Sequence, residues 1–379
     1  MEFRVLRGAD KIGGNLIEFS CGGTKVLVEF GIELDNETGG LTELEREIIA
    51  TGYDAVIVSH YHGDHAGNIK ELKCPVYMGA GCLKVMAVIS EFVRGKIPND
   101  VRTFRAGVPF EVGAIKITAF LCDHSAFDSY MLLLEGGGKK VLYTGDFRSG
   151  GRKSFKKLLS VLPFDIDVLI HEGTNLSIGR EPKIKTEEEL EAEAVKVMKA
   201  SDKPVFILQS SANIDSLVSF YRAAKRTGRR FYMDDFHAAI CFAVGGKIPN
   251  PDSFDDVFAY ASWYIKGARY DKFQPIKKKK SAAQISKDGR AVILVRQYMA
   301  AFLRRLDKYS QLKGAILVYS LWEGYKQKDE MKAFLRVVDK LGIDAVSLHT
   351  SGHADRAAVE MLKQTVNAKE IIMIHTECK

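Results

Sequence analysis

The sequence has little cysteine, and none of its cysteines shows CxxC spacing. They are scattered along the chain at Cys21, Cys74, Cys82, Cys122, Cys241 and Cys378. No apolar run approaches the length needed to cross a membrane, and the first residues do not resemble the apolar core of a signal peptide. No internal repeat is present. These absences argue against a membrane protein, and we expect a cytoplasmic protein with reduced thiols.

The size and composition indicate a folded chain of two domains. With 379 residues, the chain is too long for one ordinary core. Hydrophobic residues make up 46% and charged residues 27%, which is typical of a globular protein. The net charge of +7 favours an anionic partner only mildly, because many basic enzymes bind no nucleic acid.

The pattern of predicted elements changes near residue 200. Before that point the chain reads mainly as strands, at 15–19, 25–30, 55–58, 114–120, 129–135, 140–144 and 168–171, with helices at 41–50 and 80–94. A capping box at Thr186 predicts a helix over 186–200. After it, strands alternate with helices, at 204–208, 213–226, 229–233, 291–295, 314–319 and 331–340. This alternation predicts parallel βαβ units.

A run of metal-binding side chains follows the apolar strand Ala55–Val58. His60, His62, Asp64 and His65 fall within six residues, on a loop and at the start of a helix. Packing gives no reason for four such groups, whereas histidine and aspartate are common zinc ligands that one loop can bring together. Further candidates follow predicted strand ends, namely His124 and Asp146.

The order His60-x-His62-x-Asp64-His65, then His124, then Asp146, resembles the successive motifs of the metallo-β-lactamase superfamily. The resemblance implies that His60, His62 and His124 hold one zinc ion, while Asp64 and His65 hold a second and Asp146 bridges the two. It also implies a zinc-bound hydroxide as the nucleophile. Glu29 stands where the superfamily usually has aspartate, so we expect it to support the ligands rather than to bind metal.

Three later residues narrow the resemblance to one branch. Glu172, His353 in Ser-Gly-His, and His375 after a strand resemble the extra motifs of the β-CASP nucleases, which include the ribonuclease J family. The implied fold class is α/β: a metallo-β-lactamase αββα sandwich with an inserted β-CASP domain of parallel βαβ type. The implied limits are 1–173 and 342–379 for the sandwich and 174–341 for the insertion.

The resemblance implies a metal-dependent phosphodiester hydrolase that acts on RNA. His375 would complete the second zinc site, and it favours RNA because members that act on DNA commonly have valine there. Asp64, Glu172 and His353 are the predicted catalytic residues. His353 would donate a hydrogen bond or proton at the scissile phosphate, and Glu172 would orient it and raise its pKa.

Two loops are candidate substrate-binding segments. In ribonuclease J-like enzymes, loops such as these line the path of the phosphates. They contain Ser210, Ser211 and Asn213, and Ser351 and Gly352. An ordinary N-cap is an equal alternative for Ser211 and Asn213. The run Lys277–Lys280 is read as a solvated loop, with a phosphate-binding patch as the alternative.

Several alternatives stay open at this level. A lactonase or thioesterase would share the His60 motif but would need neither Glu172 nor the Ser-Gly-His motif. A catalytically idle nucleic-acid-binding subunit is the other rival. Manganese or iron also suits these ligands. Single-stranded RNA is the expected partner, and a homodimer is an open alternative. We predict no direct role for His171, His237 or His349.

Overall fold

The computed structural model describes residues 1–34, 40–93, 95–176, 184–260 and 278–377. The chain divides into two compact units. The first contains Met1–Ile184 and Gly352–Lys379, and the second contains Lys185–Ser351. Among the described residues, no helix combines the length and apolarity that a membrane crossing requires. The five cysteines in this part of the chain are free thiols, while Cys378 lies outside it.

The strands are numbered in chain order. They are β1 (Glu2–Arg7), β2 (Leu16–Cys21), β3 (Thr24–Val28), β4 (Ala55–Ile57), β5 (Val76–Gly79), β6 (Val101–Phe104), β7 (Phe110–Val112), β8 (Ile115–Cys122), β9 (Ser129–Gly136), β10 (Lys139–Tyr143), β11 (Val168–Glu172), β12 (Val205–Gln209), β13 (Phe231–Asp234), β14 (Val257–Tyr260), β15 (Lys279–Lys280), β16 (Val292–Val295), β17 (Ile316–Ser320), β18 (Asp344–Ser347) and β19 (Glu370–Ile374).

The α-helices are numbered in the same way. They are α1 (Glu43–Thr51), α2 (Gly63–Ala66), α3 (Ala80–Val93), α4 (Phe155–Leu159), α5 (Glu187–Lys199), α6 (Ile214–Arg226), α7 (Asp235–Val244), α8 (Ala282–Ile285), α9 (Ala300–Tyr309), α10 (Asp329–Lys340) and α11 (Arg356–Val366).

The first unit is a sandwich of two mixed six-stranded sheets. One has the order β1-β2-β3-β4-β5-β6 and the other β19-β11-β10-β9-β8-β7. Alternate strand residues such as Phe19, Ile57, Leu132 and Ile170 form the core shared by the sheets. On the outer faces, α3 packs on β5 and β6, and α11 packs on β11. The predicted αββα sandwich is confirmed.

The second unit is built on one parallel sheet with the order β15-β14-β13-β16-β12-β17-β18. The central strands β12, β13 and β16 are buried on both faces, so these strands read as continuous apolar runs. In β12, Phe206 and Leu208 pack with residues of α8, α9 and α10, while Val205 and Ile207 pack with residues of α5, α6 and α7. The prediction of parallel βαβ units is therefore confirmed.

Both boundaries between the two units lie later in the chain than the limits predicted from the sequence. β18 lies in the segment 342–379, which the sequence assigned to the sandwich, but it pairs with β17 of the second unit. Its four side chains are all exposed, so burial pattern gave no signal of its sheet. The second unit accordingly ends at Ser351.

The predicted start of the helix near residue 186 is confirmed. Thr186 Oγ1 accepts a hydrogen bond from the Glu189 amide at 3.1 Å, and Glu189 Oε2 accepts one from the Thr186 amide at 2.8 Å. This reciprocal pair satisfies two amide groups that the first helical turn leaves without partners.

A buried arginine holds the start of β13 in the second unit. Arg229 is 2% exposed, and its guanidinium donates to the carbonyls of Met198, Lys203 and Arg290 at 2.7–3.2 Å. These carbonyls lie at the end of α5 and just before β12 and β16. One side chain therefore satisfies backbone groups from three separate segments.

We predict that Arg229→Met lowers the free energy of unfolding by about 2–4 kcal/mol, because several buried carbonyls lose their donor. Urea denaturation followed by circular dichroism measures the change. Arg230→Met is the matched control, since the Arg230 side chain is 64% exposed and its loss should cost less than about 0.5 kcal/mol. Equal losses in the two variants would contradict the role assigned to Arg229.

Candidate metal centre

The His60 motif lies where buried strand β4 ends and helix α2 begins. His60 and His62 precede α2, and Asp64 and His65 occupy its first turn. A loop and a single helical turn thus direct four side chains from one short segment to the same region. The other candidate ligands follow β8, β10 and β19.

The first group of candidate ligands consists of His60, His62 and His124, whose ligand atoms lie within 4.8 Å of one another. His124 Nδ1 donates to the Gly352 carbonyl at 2.5 Å, so Nε2 is the nitrogen that carries a lone pair. That Nε2 lies 3.1 Å from His62 Nδ1. His60 Nδ1 contacts Ser59 Oγ at 2.9 Å. The ring orientations therefore direct nitrogen atoms towards one shared point.

The second group consists of Asp64, His65, Asp146 and His375, again with ligand atoms within 4.8 Å. Nε2 of His65 lies 3.1 Å from Asp146 Oδ2, and Nε2 of His375 lies 3.3 Å from Asp64 Oδ2. The same Asp146 Oδ2 lies 3.9 Å from Nε2 of His60 in the first group. Asp146 therefore stands between the groups, where a bridging carboxylate would be needed.

Glu29 is fully buried behind the second group. Its Oε1 lies 3.3 Å from His65 Nδ1, and its carboxylate accepts hydrogen bonds from the Ser59 amide. A carboxylate on one ring nitrogen fixes the tautomer and leaves the other nitrogen for a metal. Glu29 can therefore orient His65 although the superfamily usually has aspartate at this position.

Glu172 and His353 form a pair beside the ligands. Glu172 Oε2 lies 3.3 Å from His353 Nδ1. Glu172 is 2% exposed and is held by the amides of Phe147, Thr174 and Ala354 at 3.0–3.3 Å. The His353 side chain retains 24% exposure. A fixed carboxylate thus supports an imidazole that solvent can reach.

Electrostatics keep the first group of imidazoles neutral. Burial, together with neighbouring imidazoles, lowers the pKa values of His60 and His124 well below the ordinary histidine value. Burial also lowers the pKa of His62, to about 4. Neutral imidazole is the form that binds metals, so this group is suited to a cation at neutral pH.

In the second group, charge interactions outweigh burial. Burial would lower the pKa of His65, but the carboxylates of Asp146 and Asp64 raise it well above its ordinary value. Burial would raise the pKa of Asp146, but the imidazoles of His375 and His65 bring it well below. Glu172 and Asp146 likewise overcome burial and raise the pKa of His353 to about 9. The lowered pKa favours the ionised form of Asp146, which is the form that binds a metal.

The residues fit two divalent cations. Buried His60 Nε2 and Asp146 Oδ1 have no hydrogen-bond partner within the described part of the chain. Such atoms are costly unless something else satisfies them. Three imidazoles form one donor set, and two carboxylates with two imidazoles form the other. Nitrogen and oxygen donors of this kind suit zinc, manganese or iron.

Backbone hydrogen bonds position the His60 motif. The carbonyls of Gly63, Asp64 and His65 accept from the amides of Ile32, Asn15 and Phe30 at 2.8–3.1 Å. His375 is held similarly, because its amide donates to the Gly8 carbonyl at 2.7 Å. The loops before β2 and after β3 therefore fix the ligands of the second group.

Sequence reasoning missed the polar network that holds these loops. Buried Arg7 pairs with buried Glu45 at 2.8 Å between Nη1 and Oε1, and it donates to the carbonyls of Gly14 and Gly31 at 2.5 Å. Asn68 donates to the same Glu45 oxygen and to Gly31. No local motif marks these residues, since each is a single polar position far from the others in sequence.

The predicted substrate-binding residues lie in different units. Ser210, Ser211 and Asn213 follow β12 in the second unit. Asn213 Oδ1 accepts from the Ser216 amide at 3.2 Å, so Asn213 caps α6 as in the alternative interpretation. Ser351 ends the second unit, and Gly352 begins the return of the first, where its carbonyl holds His124.

The other three histidines and the lysine run discussed from the sequence lie outside the two groups of candidate ligands. His171 Nδ1 donates to the Glu172 carbonyl at 2.7 Å, and buried His237 contacts Asp234 at 2.5 Å. His349 is exposed in the second unit. Lys277 lies outside the described residues, whereas Lys279 and Lys280 form β15 rather than a loop.

Comparisons with known proteins agree with this geometry. A family model described as "Beta-lactamase superfamily domain" matches residues 42–208. The chain is similar to Endoribonuclease YSH1 of Mycosarcoma maydis, with 27% identity over 203 residues, which are 45% of this chain and 23% of that protein. It is also similar to Ribonuclease J of Sinorhizobium meliloti, with 26% identity over 185 residues, 46% of this chain and 32% of that protein.

An RNase J-like protein of Methanocaldococcus jannaschii is 27% identical over 252 residues, 60% of this chain and 56% of that protein. The chain thus spans between 23% and 56% of the length of these relatives. A solved structure, of a protein of unknown function from Enterococcus faecalis V583, has a TM-score of 0.80 at 19% identity. The match covers 99% of this chain and 94% of that one, and it shows the fold.

We predict that Gly31→Ala removes metal from the second group. A methyl group at this position would overlap the backbone carbonyl of Asp64, so α2 with Asp64 and His65 would have to move. Metal analysis after dialysis should then show fewer bound ions per chain than in the unchanged protein. Gly289→Ala is the matched control, because none of the described atoms lies within 4 Å of its added carbon. Full metal content in the Gly31→Ala protein would contradict the prediction.

Proposed function

We propose that the chain is a metal-dependent phosphodiester hydrolase acting on RNA, because it matches the β-lactamase superfamily domain over residues 42–208 and resembles the β-CASP nucleases. One observation carries the proposal. The Glu172–His353 pair lies beside two groups of metal-binding side chains, with His353 Nδ1 only 3.7 Å from Asp146 Oδ2. Two metal groups alone would suit many hydrolases, whereas a supported imidazole next to them could protonate the ribose oxygen that leaves when the P–O bond of a phosphodiester breaks.

Two zinc ions are the proposed cofactors. His60, His62 and His124 would hold one, and Asp64, His65 and His375 would hold the other, with Asp146 shared. Divalent ions bound there would supply an activated water at neutral pH and would offset the negative charge of the phosphate. The unpartnered buried atoms of His60 and Asp146 support this assignment.

His353 is the proposed general acid. The Glu172 carboxylate beside its ring opposes the effect of burial and raises the pKa of His353, which favours the protonated imidazole that a general acid requires. Because Glu172 contacts Nδ1 of His353, we propose that the proton on Nε2 is the one transferred to the leaving oxygen. The Asn175 side-chain amide donates to the carbonyls of His353 and Ala354 at 3.1 and 3.2 Å, which fixes the backbone that carries the ring. The proton donor is thus positioned from both its ring and its backbone.

RNA is the proposed polymer. The support comes from His375 among the candidate ligands and from relatives whose names denote ribonucleases. Apart from His375, these groups would contact the phosphodiester, which is the same in RNA and DNA. RNA and DNA of the same sequence therefore have to be compared directly.

We predict that the purified protein with zinc or manganese cleaves 5′-labelled single-stranded RNA, and that Asp146→Ala reduces cleavage to background. Asp146 is proposed to serve both metals, so its loss should abolish turnover rather than weaken it. Gel analysis of the products measures this and separates end-wise from internal cutting. Asp100→Ala, an exposed carboxylate in the same unit, should cleave like the unchanged protein.

Cleavage of matched DNA but not RNA would contradict the choice of polymer. If neither polymer were cleaved by protein that holds two metals, the function would instead be that of a small-molecule ester or thioester hydrolase. A chromogenic phosphodiester and a thioester, tested side by side, would separate those cases.

We predict that His353→Gln lowers kcat for RNA by about 10²–10⁴-fold, the usual contribution of a general acid, while both metals stay bound. Glu172→Gln should lower kcat less, because the imidazole remains but loses its carboxylate. Single-turnover cleavage and metal analysis of the same samples measure the two effects. His349→Gln, an exposed histidine outside the centre, is the control. Loss of metals in the His353→Gln protein would show that His353 is a ligand instead.

A further inference from the structure

Exposed aromatic side chains follow β17 at the carboxyl edge of the parallel sheet. Trp322 is 57% exposed and Tyr325 is 40% exposed, although large aromatic side chains are usually buried. Their rings contact each other edge to face, with centroids 5.5 Å apart at 89°. We refer to Trp322 and Tyr325 as the aromatic platform.

The indole ring of Trp322 is held in place from below. A carbon added at Gly324 would overlap the six-membered part of that ring, so the ring lies directly against the backbone of Gly324. The Trp322 carbonyl also accepts a hydrogen bond from the hydroxyl of buried Tyr319 at 3.0 Å. One face of the indole is therefore packed while much of the ring stays exposed. A ring already fixed loses little conformational entropy when a ligand stacks on it.

Lysine side chains lie beside these rings. Lys328 Nζ is 5.0 Å from the centroid of Tyr325, and Lys328 is in no ion pair within the described residues. Lys326 Nζ is 4.6 Å from the centroid of Tyr319 and is paired with Glu323. Lysine is depleted at the cores of protein–protein interfaces, whereas aromatic rings combined with basic side chains are typical of single-stranded nucleic-acid sites.

The neighbouring strand adds polar groups at the same edge. Gln209 ends β12 and pairs in register with Ser320 at the end of β17. Both side chains are buried, and their polar atoms have no hydrogen-bond partner in the described part of the chain. A parallel sheet binds ligands at its carboxyl edge. Unsatisfied amide and hydroxyl groups beside the aromatic platform favour a polar ligand over an apolar one.

We propose that the aromatic platform binds unpaired bases of single-stranded RNA by stacking, and that Lys328 contacts the adjacent phosphate. The inference rests on the proposed RNA substrate and adds a binding site in the second unit. Stacking on Trp322 and Tyr325 tolerates any base, because every base has a π-face. The aromatic platform therefore contributes affinity for a strand without selecting its sequence.

Binding of a labelled, unstructured RNA of about twelve nucleotides tests the proposal. Fluorescence anisotropy is measured with the full chain carrying Asp146→Asn, so that the strand stays intact. Trp322→Ala should raise Kd by about five- to 150-fold, the effect of losing one stacked base, whereas Trp322→Phe should stay within about threefold. Tyr309→Ala is the matched control. Tyr309 is 52% exposed at the end of α9, away from the carboxyl edge, and its loss should leave Kd unchanged.

An abasic substitution in the RNA separates stacking from a general loss of structure. Removing the stacked base should weaken binding to the reference protein but should not weaken it further in the Trp322→Ala protein. Thermal unfolding of every variant checks that the fold persists, and Tyr325→Ala replaces Trp322→Ala if the latter does not fold.

Three results would count against the platform. Tight RNA binding by both Trp322→Ala and Tyr325→Ala, in a chain whose unchanged form cleaves RNA, overturns the platform and leaves the proposed function standing. Unchanged RNA affinity with loss of self-association, seen by analytical ultracentrifugation, assigns this surface to a protein partner instead. If no variant binds RNA and the unchanged chain does not cleave it, the proposed function fails and the platform fails with it.

Discussion

The buried ion pair between Arg7 and Glu45 is the contact on which the metal centre depends. The Arg7 guanidinium also donates hydrogen bonds to the carbonyls of Gly14 and Gly31. These two residues lie in the loops whose amides fix Asp64 and His65. Replacing only one partner would leave a buried charge unpaired, which is costly. The ion pair does more than stabilise the fold, because it transmits a fixed backbone position to the ligands. The precision of a metal site requires such support, since ligand positions left to mobile loops would not hold a defined geometry.

The candidate metal centre contains ionised carboxylates whose charge bound cations would balance. Imidazoles kept neutral by burial face carboxylates kept ionised by other imidazoles, all inside one unit. Binding a cation to such groups is linked to folding, since the unfolded chain would not present them together. Glu172 and Asp146 also raise the pKa of His353, whose side chain retains 24% exposure. Asp146 thus lies close to both groups of candidate ligands and to the proposed proton donor.

Local patterns explain what could be predicted from the sequence. The His60 motif, the capping box at Thr186 and the alternating elements after residue 200 are all marked by neighbours in sequence. Features that depend on distant residues were missed. Arg7 and Glu45 are separated by 38 positions and belong to no motif. The sequence predicts a strand at 345–348, which β18 confirms, but its exposed side chains gave no indication of the sheet that it joins. Helix α7 is apolar on most sides, so it shows no clear helical period. Local sequence patterns reveal neither the pairing of distant residues nor the type of a uniformly hydrophobic segment.

In the proposed function, the two units would contribute different groups to the cleavage of RNA. A phosphodiester looks alike at every position of a strand, so a metal centre cannot by itself select where it cuts. Affinity for the strand has to come from groups that contact bases and backbone elsewhere. The first unit contains the buried cluster of ligands, and the second contains the aromatic platform with Lys328 beside it. A chain with a modest net charge of +7 has limited electrostatic affinity for RNA. Stacking would add affinity beyond that of charge, and the aromatic platform offers two exposed rings for it.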